Sequence, residues 1–75
     1  MLILGQEKDL FVNLNNCDTI MADADGGVLA YSGSENTTLG TYKSEERAKE
    51  IVRTIFDTAR NSAFVDITTF IMPEK

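Results

Sequence analysis

The sequence has no histidine and a single cysteine, Cys17, and it contains no long apolar run. Each shortage removes a class of function. Without histidine, the chain lacks the side chain that ordinarily titrates near neutral pH, so general acid–base catalysis has no obvious centre. The commonest zinc ligand is missing as well, and one cysteine cannot build a Cys-rich metal site. A lone cysteine also rules out an intrachain disulfide and fits a reducing compartment. Cys17 has no histidine to activate it, and the neighbouring carboxylate of Asp18 raises a thiol pKa rather than lowering it. A structural cysteine is therefore expected. The opening "MLILGQEKD" turns polar after four apolar residues, too short for a signal peptide or a membrane span, so a cytoplasmic location with no membrane partner is expected.

Basic charge is also scarce. Twelve acidic residues stand against seven basic ones, for a formal charge of −5. Nucleic-acid binding draws its affinity from neutralised phosphates and needs a basic face, so neither DNA nor RNA is expected as a partner. A small anionic ligand needs only a local cluster and stays open. So does an acidic surface that occupies a basic site on another protein.

Seventy-five residues make one domain. A chain near this length buries only about 60% of the surface its unfolded state exposes. With disulfide and metal unavailable, self-association is the remaining way to bury more apolar area, and a homo-oligomer is expected.

Read for period, the chain is an α+β domain. Leu2-Ile3-Leu4 and the alternating Leu10-Phe11-Val12-Asn13-Leu14 form two antiparallel strands around the polar "GQEKD". Asn15-Asn16 marks a turn, and a third strand covers roughly Cys17 to Asp23. Asp25-Gly26 predicts a type I′ hairpin turn, which needs positive φ at both central residues. Val28 to Ser32 is a fourth strand, "GSEN" a turn, and Thr37 to Tyr42 a fifth. The result is an antiparallel meander of about five strands.

One amphipathic helix follows, over about 44–61. Ser44 is its expected N-cap, and Glu45 and Glu46 complement the positive end of the helix dipole. Ala48, Ile51, Val52, Ile55, Phe56 and Ala59 recur at offsets of three and four and draw one stripe toward the sheet. Arg60 suits the carbonyl end. A C-terminal strand lies in "AFVDITTFIMPEK", with Val65, Ile67 and Ile71 on one face and Phe64, Phe70 and Met72 on the other. A strand apolar on both sides needs cover on both sides. Phe64 and Phe70 are the expected oligomer contacts.

Three constellations bear on chemistry. "DADGG" fails the EF-hand pattern: counted from Asp23, the sixth position is Val28 and the twelfth Ser34, where glycine and glutamate are required. "YSGSE" is not the Gly-x-Ser-x-Gly nucleophile elbow. With no nucleophile–base pair in view, the expected protein is not an enzyme and needs no metal or cofactor. Tyr42, Lys43 and Arg47 surround the helix start, whose unpaired N–H groups and dipole attract anions. Arginine could fork onto a phosphate and tyrosine could stack on a base. Glu45 and Glu46 oppose that, and Arg47 could instead pair with a neighbouring carboxylate.

The segments "LGTYKSEERAKEIV", "LILGQEKDLFVNLNNC" and "MPE" resemble small proteins of phages and prophages of Gram-positive bacteria. In those, a strand-rich half opening on an apolar–Gln–charged–Lys hairpin leads into a helix that starts Tyr-Lys-x-Glu-Glu-Arg-Ala-Lys. The resemblance covers most of the chain, but not the central hairpin "MADADGGVLAYSG", and it assigns no catalytic residues. It implies a phage accessory protein working in the host cytoplasm. Such proteins often counter host defences, either by blocking a defence protein or, as oligomers, by trapping nucleotide immune signals without cleaving them. The expected function is the latter, with Tyr42, Lys43 and Arg47 as ligand contacts. The alternatives are an inhibitor of a host defence enzyme acting through its acidic surface, and a phage regulatory or assembly factor.

Overall fold

The computed structural model describes residues 1–62 and 68–75. Six strands and one α-helix are arranged as β1 (Leu2–Leu4), β2 (Phe11–Asn13), β3 (Thr19–Ala22), β4 (Gly27–Ser32), β5 (Glu35–Thr41), α1 (Glu45–Asn61) and β6 (Thr69–Ile71), with a 3-10 turn at Leu14–Asn16. The fold is α+β, and the C-terminal strand is present. The strands do not form one meander, however. They divide into two three-stranded sheets, β2-β1-β6 and β3-β4-β5.

The β3-β4-β5 sheet is antiparallel throughout and local in sequence. Its first hairpin departs from the expected type I′ turn. Gly26 has φ +90°, but Asp25 is not in the left-handed region, so the loop spans Ala24, Asp25 and Gly26. The reason is Asp23, whose Oδ1 accepts the N–H groups of both Asp25 and Gly27 at 2.9 Å. That side chain substitutes for a backbone turn and lengthens the loop by one residue. The second hairpin turns on Gly33 and Ser34. Gly33, at φ +64°, takes the first central position, the pattern of a type II′ turn.

A bulge interrupts the β4–β5 ladder: Leu29 faces Thr38 while the adjacent Val28 faces Gly40, which leaves Leu39 as the extra residue. A bulge breaks the two-residue alternation. Leu39 and Tyr42 would otherwise point to opposite faces, yet both are buried.

The helix lies across β3 and β4. Ser44 caps it, its Oγ accepting the Arg47 N–H at 3.1 Å. Ala48, Ile51 and Ile55 are buried beneath the helix, and Val52 and Ala59 are half-buried. Phe56 is the exception to the predicted stripe. It lies at its margin and is 60% exposed, with the Arg60 guanidinium 5.7 Å from its ring.

In the other sheet, β1 pairs antiparallel with β2 and parallel with β6. Ile3, Val12 and Phe70 share a row, with Ile3 fully buried and the other two packed against the core. Met72, on the same face as Phe70, is buried. Ile3, Val28, Ala30, Leu39, Tyr42, Ala48, Ile51, Ile55 and Met72 form one cluster, so a single core joins both sheets and the helix. The sequence-predicted positions Phe64, Val65 and Ile67 lie outside the described residues.

Candidate functional site

The chain leaves β5 at Thr41 and enters α1 through Tyr42, Lys43 and Ser44. The backbone of this link is held by the β3–β4 hairpin, the Tyr42 N–H donating to Gly26 O at 2.8 Å. Gly26 combines its positive φ with an approach so close that an added Cβ would collide with the Tyr42 carbonyl. The Tyr42 ring lies over Gly40, where a Cβ would come within 2.8 Å of the phenol oxygen. That ring is a buried member of the core, not an exposed stacking platform. Its hydroxyl donates to the Pro73 carbonyl at 2.7 Å. Burial pushes the Tyr42 phenol above its ordinary pKa, and the nearby Arg47 guanidinium offsets part of that rise.

Arg47 sits in the first helical turn with its guanidinium 6.0 Å from the Tyr42 ring centroid. Nη2 and Nε both donate to the main-chain oxygen of Lys75, at 2.8 and 3.2 Å, and Nη1 reaches Glu50 at 3.4 Å. The dipole penalty of a cation in the first turn is thus met by a two-pronged hydrogen bond to a main-chain acceptor. Gln6 Nε2 donates to Glu74 O at 2.8 Å, and Lys8 pairs with the Glu74 carboxylate at 3.3 Å. Gln6 also joins β5, its N–H donating to Leu39 O and its Oε1 accepting from Thr41 N.

The first hairpin, the helix start and the C-terminal segment therefore converge. Gln6 and Lys8 from the first hairpin, and Tyr42 and Arg47 from the helix start, clasp Pro73-Glu74-Lys75 between them. Sequence reasoning grouped Tyr42, Lys43 and Arg47 at the helix start, and all three line one cleft. It missed the opposite wall, because no local signal says that "MPEK" returns to the helix start.

Around this clasp lies an open cleft of about 740 Å³, lined by Tyr42, Lys43, Arg47 and Lys75 and also by Glu46, Glu50 and Glu74. Its positive and negative side chains balance. Lys43 is exposed and makes no ion pair among the described residues. A second, smaller cavity of about 270 Å³ runs between α1 and β3, lined by Leu14, Cys17, Ile20, Val52 and Phe56. Cys17 is a free thiol whose Sγ lies 3.5 Å from Asn13 O, and its pKa is raised by burial first and by Asp18 second. Among the described residues no three His, Cys, Asp or Glu side chains are grouped to hold a metal ion, and no helix is long and apolar enough to cross a membrane.

Comparison with protein-family models, with curated proteins and with solved structures gave no match for this chain.

Proposed function

We propose that this protein is a non-enzymatic binder that takes a small anionic, nucleotide-type ligand into the cleft at the start of α1 and acts as a homo-oligomer. The observation that carries the reading is the meeting of Tyr42, Lys43 and Arg47 on a cleft of nucleotide-holding size at the positive end of a helix. Arg47 already grips an oxygen with two N–H groups, the main-chain oxygen of Lys75. A phosphate offers several oxygens to the same fork, and each hydrogen bond to it is charge-assisted at both ends. The exposed Lys43 ammonium supplies a second charge. Glu46, Glu50 and Glu74 limit how much negative charge the cleft tolerates.

The resemblance to phage and prophage proteins points to the nucleotide signals of host immunity as the ligand class, sequestered in the host cytoplasm. A binder rather than a catalyst is supported by the lack of histidine and by the engagement of the Ser44 hydroxyl as a helix cap.

The test is retention. The protein is incubated with a panel of cyclic mono- and dinucleotides, separated from free ligand and heat-denatured. One nucleotide should be recovered chemically intact. Lys43→Ala should weaken retention about tenfold, the effect of one charge-assisted contact, with the fold unchanged by circular dichroism, and Arg47→Ala should weaken it as much while also releasing its hold on Lys75. Failure to retain any nucleotide, or recovery of an altered one, sinks the reading.

The exposed carboxylates of Glu45, Glu46 and Glu50 on the helix favour a second reading, an inhibitor that occupies a basic site on a host defence enzyme. A stoichiometric partner captured from host lysate and released by salt would favour it over the first.

A further inference from the structure

The outer face of the β2-β1-β6 sheet is largely apolar, and none of the described residues packs over it. The register sets Phe11 opposite Leu4 and Leu4 opposite Ile71, so one row crosses all three strands. Leu2 stands in the adjacent row, between Asn13 and Thr69. Phe11 is 64% exposed, Ile71 60% and Leu2 39%. The opposite face, with Ile3, Val12 and Phe70, is turned to the core. Phe70 is therefore ill placed for the association expected of it from sequence, and its neighbour Ile71 holds the outward position.

Charge distribution adds a second observation. A quarter of the chain's residues are charged, yet the three strands read LIL, FVN and TFI and carry no charge at all. Loss of charge from a patch centred on aromatic and aliphatic side chains is the composition of an interface core.

We infer that two copies of the chain pair through this face, in a two-fold arrangement that stacks the Phe11–Leu4–Ile71 row of one copy on the same row of the other. Area supports a second copy as the occupant. At about 200 Å² for a fully exposed side chain of this size, Phe11, Ile71 and Leu2 alone offer roughly 300 Å² per copy. Two copies offer about 600 Å², close to the apolar share of the smallest stable interfaces, which bury about 1,200 Å² in all. A face without charge provides nothing for a charged partner to recognise, whereas it complements itself. Sheet faces stack about 10 Å apart with interleaved side chains, a geometry open to the row of Phe11, Leu4 and Ile71. This gives the oligomer of the proposed function its contact surface but does not depend on the ligand, and association and nucleotide retention are measured separately.

Sedimentation equilibrium tests it. The wild-type chain should reach the mass of two chains as its concentration rises to about 200 μM, by mass action. Because each copy carries −5, raising salt from about 50 to about 500 mM should hold or tighten the pair, the opposite of charge-driven association. Phe11→Asp should leave only monomer, and Ile71→Thr should weaken pairing at least fivefold, which keeps the test informative if Phe11→Asp folds poorly. Phe56→Ser, equally exposed but on the helix, should leave pairing unchanged. A wild-type chain that stays monomeric overturns the inference and leaves the face to an apolar partner of another kind. So does a dimer that survives both sheet substitutions, or one that dissociates in salt.

Discussion

The two sheets carry three strands each but are held together by different kinds of contact. In β3-β4-β5 every strand pairs with its neighbour in sequence, through a three-residue and a two-residue turn. In β2-β1-β6 the central strand pairs with β6 from the far end of the 75-residue sequence. Closing that loop costs chain entropy that short-range hairpins avoid. The compensation is visible in the side chains. Ile3 and Met72 enter the common core, and the clasp of Gln6, Lys8, Tyr42 and Arg47 on Pro73-Glu74-Lys75 holds the returning segment. The local sheet needs its turns; the non-local one needs the core and the clasp.

The largest expected effect asks whether these are two units or one. Ile3→Ala in the non-local sheet and Ile51→Ala beneath the helix should each cost about 2–5 kcal/mol. Against a total of about 5–15 kcal/mol for a domain, either is severe. Because Ile3 and Ile51 belong to one buried cluster, urea unfolding followed by circular dichroism and by Tyr fluorescence should give one coincident transition in both variants. Two separated transitions in Ile3→Ala would show that β3-β4-β5 with α1 stands alone, and the comparison would become one between a domain and an attachment.

What could be read from sequence follows the same division. The α+β class, the hairpins, the serine-capped helix and its buried stripe of Ala48, Ile51 and Ile55 all rest on short-range patterns, and these were legible. Phe56 was misjudged because the helical period says which residues share a face but not where the sheet beneath it ends. The pairing of β1 with β6 leaves no local trace, since a parallel neighbour needs no turn. The bulge at Leu39 was hidden for a related reason: alternation predicts one face, and only the partner strand reveals the extra residue. At the candidate site, Tyr42, Lys43 and Arg47 could be grouped because a helix start gathers them. The neighbouring-carboxylate partner left open for Arg47 is Glu50, one turn on, whereas the Pro73 and Lys75 acceptors arrive by tertiary contact and leave no local signal.

A middle-sized effect probes the clasp. Tyr42→Phe removes the donor to the Pro73 carbonyl, a part-buried hydrogen bond, and should cost about 0.5–1.5 kcal/mol at neutral pH. The pH dependence carries a sign that identifies the cause. Burial raises the Tyr42 pKa, so the folded state prefers the neutral phenol. Its contribution is fully present below the ordinary tyrosine pKa and is lost as pH rises through the elevated folded value. The gap between wild type and Tyr42→Phe, measured by urea denaturation, should therefore hold through neutral pH and close on the alkaline side. A gap that widens there would mean the phenolate is welcomed by Arg47 and that the clasp is electrostatic at heart.

The smallest effect lies at the junction of the two sheets, where Cys17 follows the 3-10 turn that connects β2 to β3. Its thiol pKa is raised by burial first and by the Asp18 carboxylate second, so two variants of the same measurement rank the causes. The pH midpoint for alkylation by iodoacetamide should lie above that of the urea-unfolded chain. Asp18→Asn should lower it by less than unfolding does, since burial remains. Asparagine keeps an amide oxygen able to accept the Gly33 N–H that Asp18 Oδ2 accepts at 2.7 Å, so the substitution removes the charge and little else. If Asp18→Asn instead brings the midpoint down to that of the unfolded chain, the Asp18 carboxylate and not burial is the larger cause of the raised Cys17 pKa.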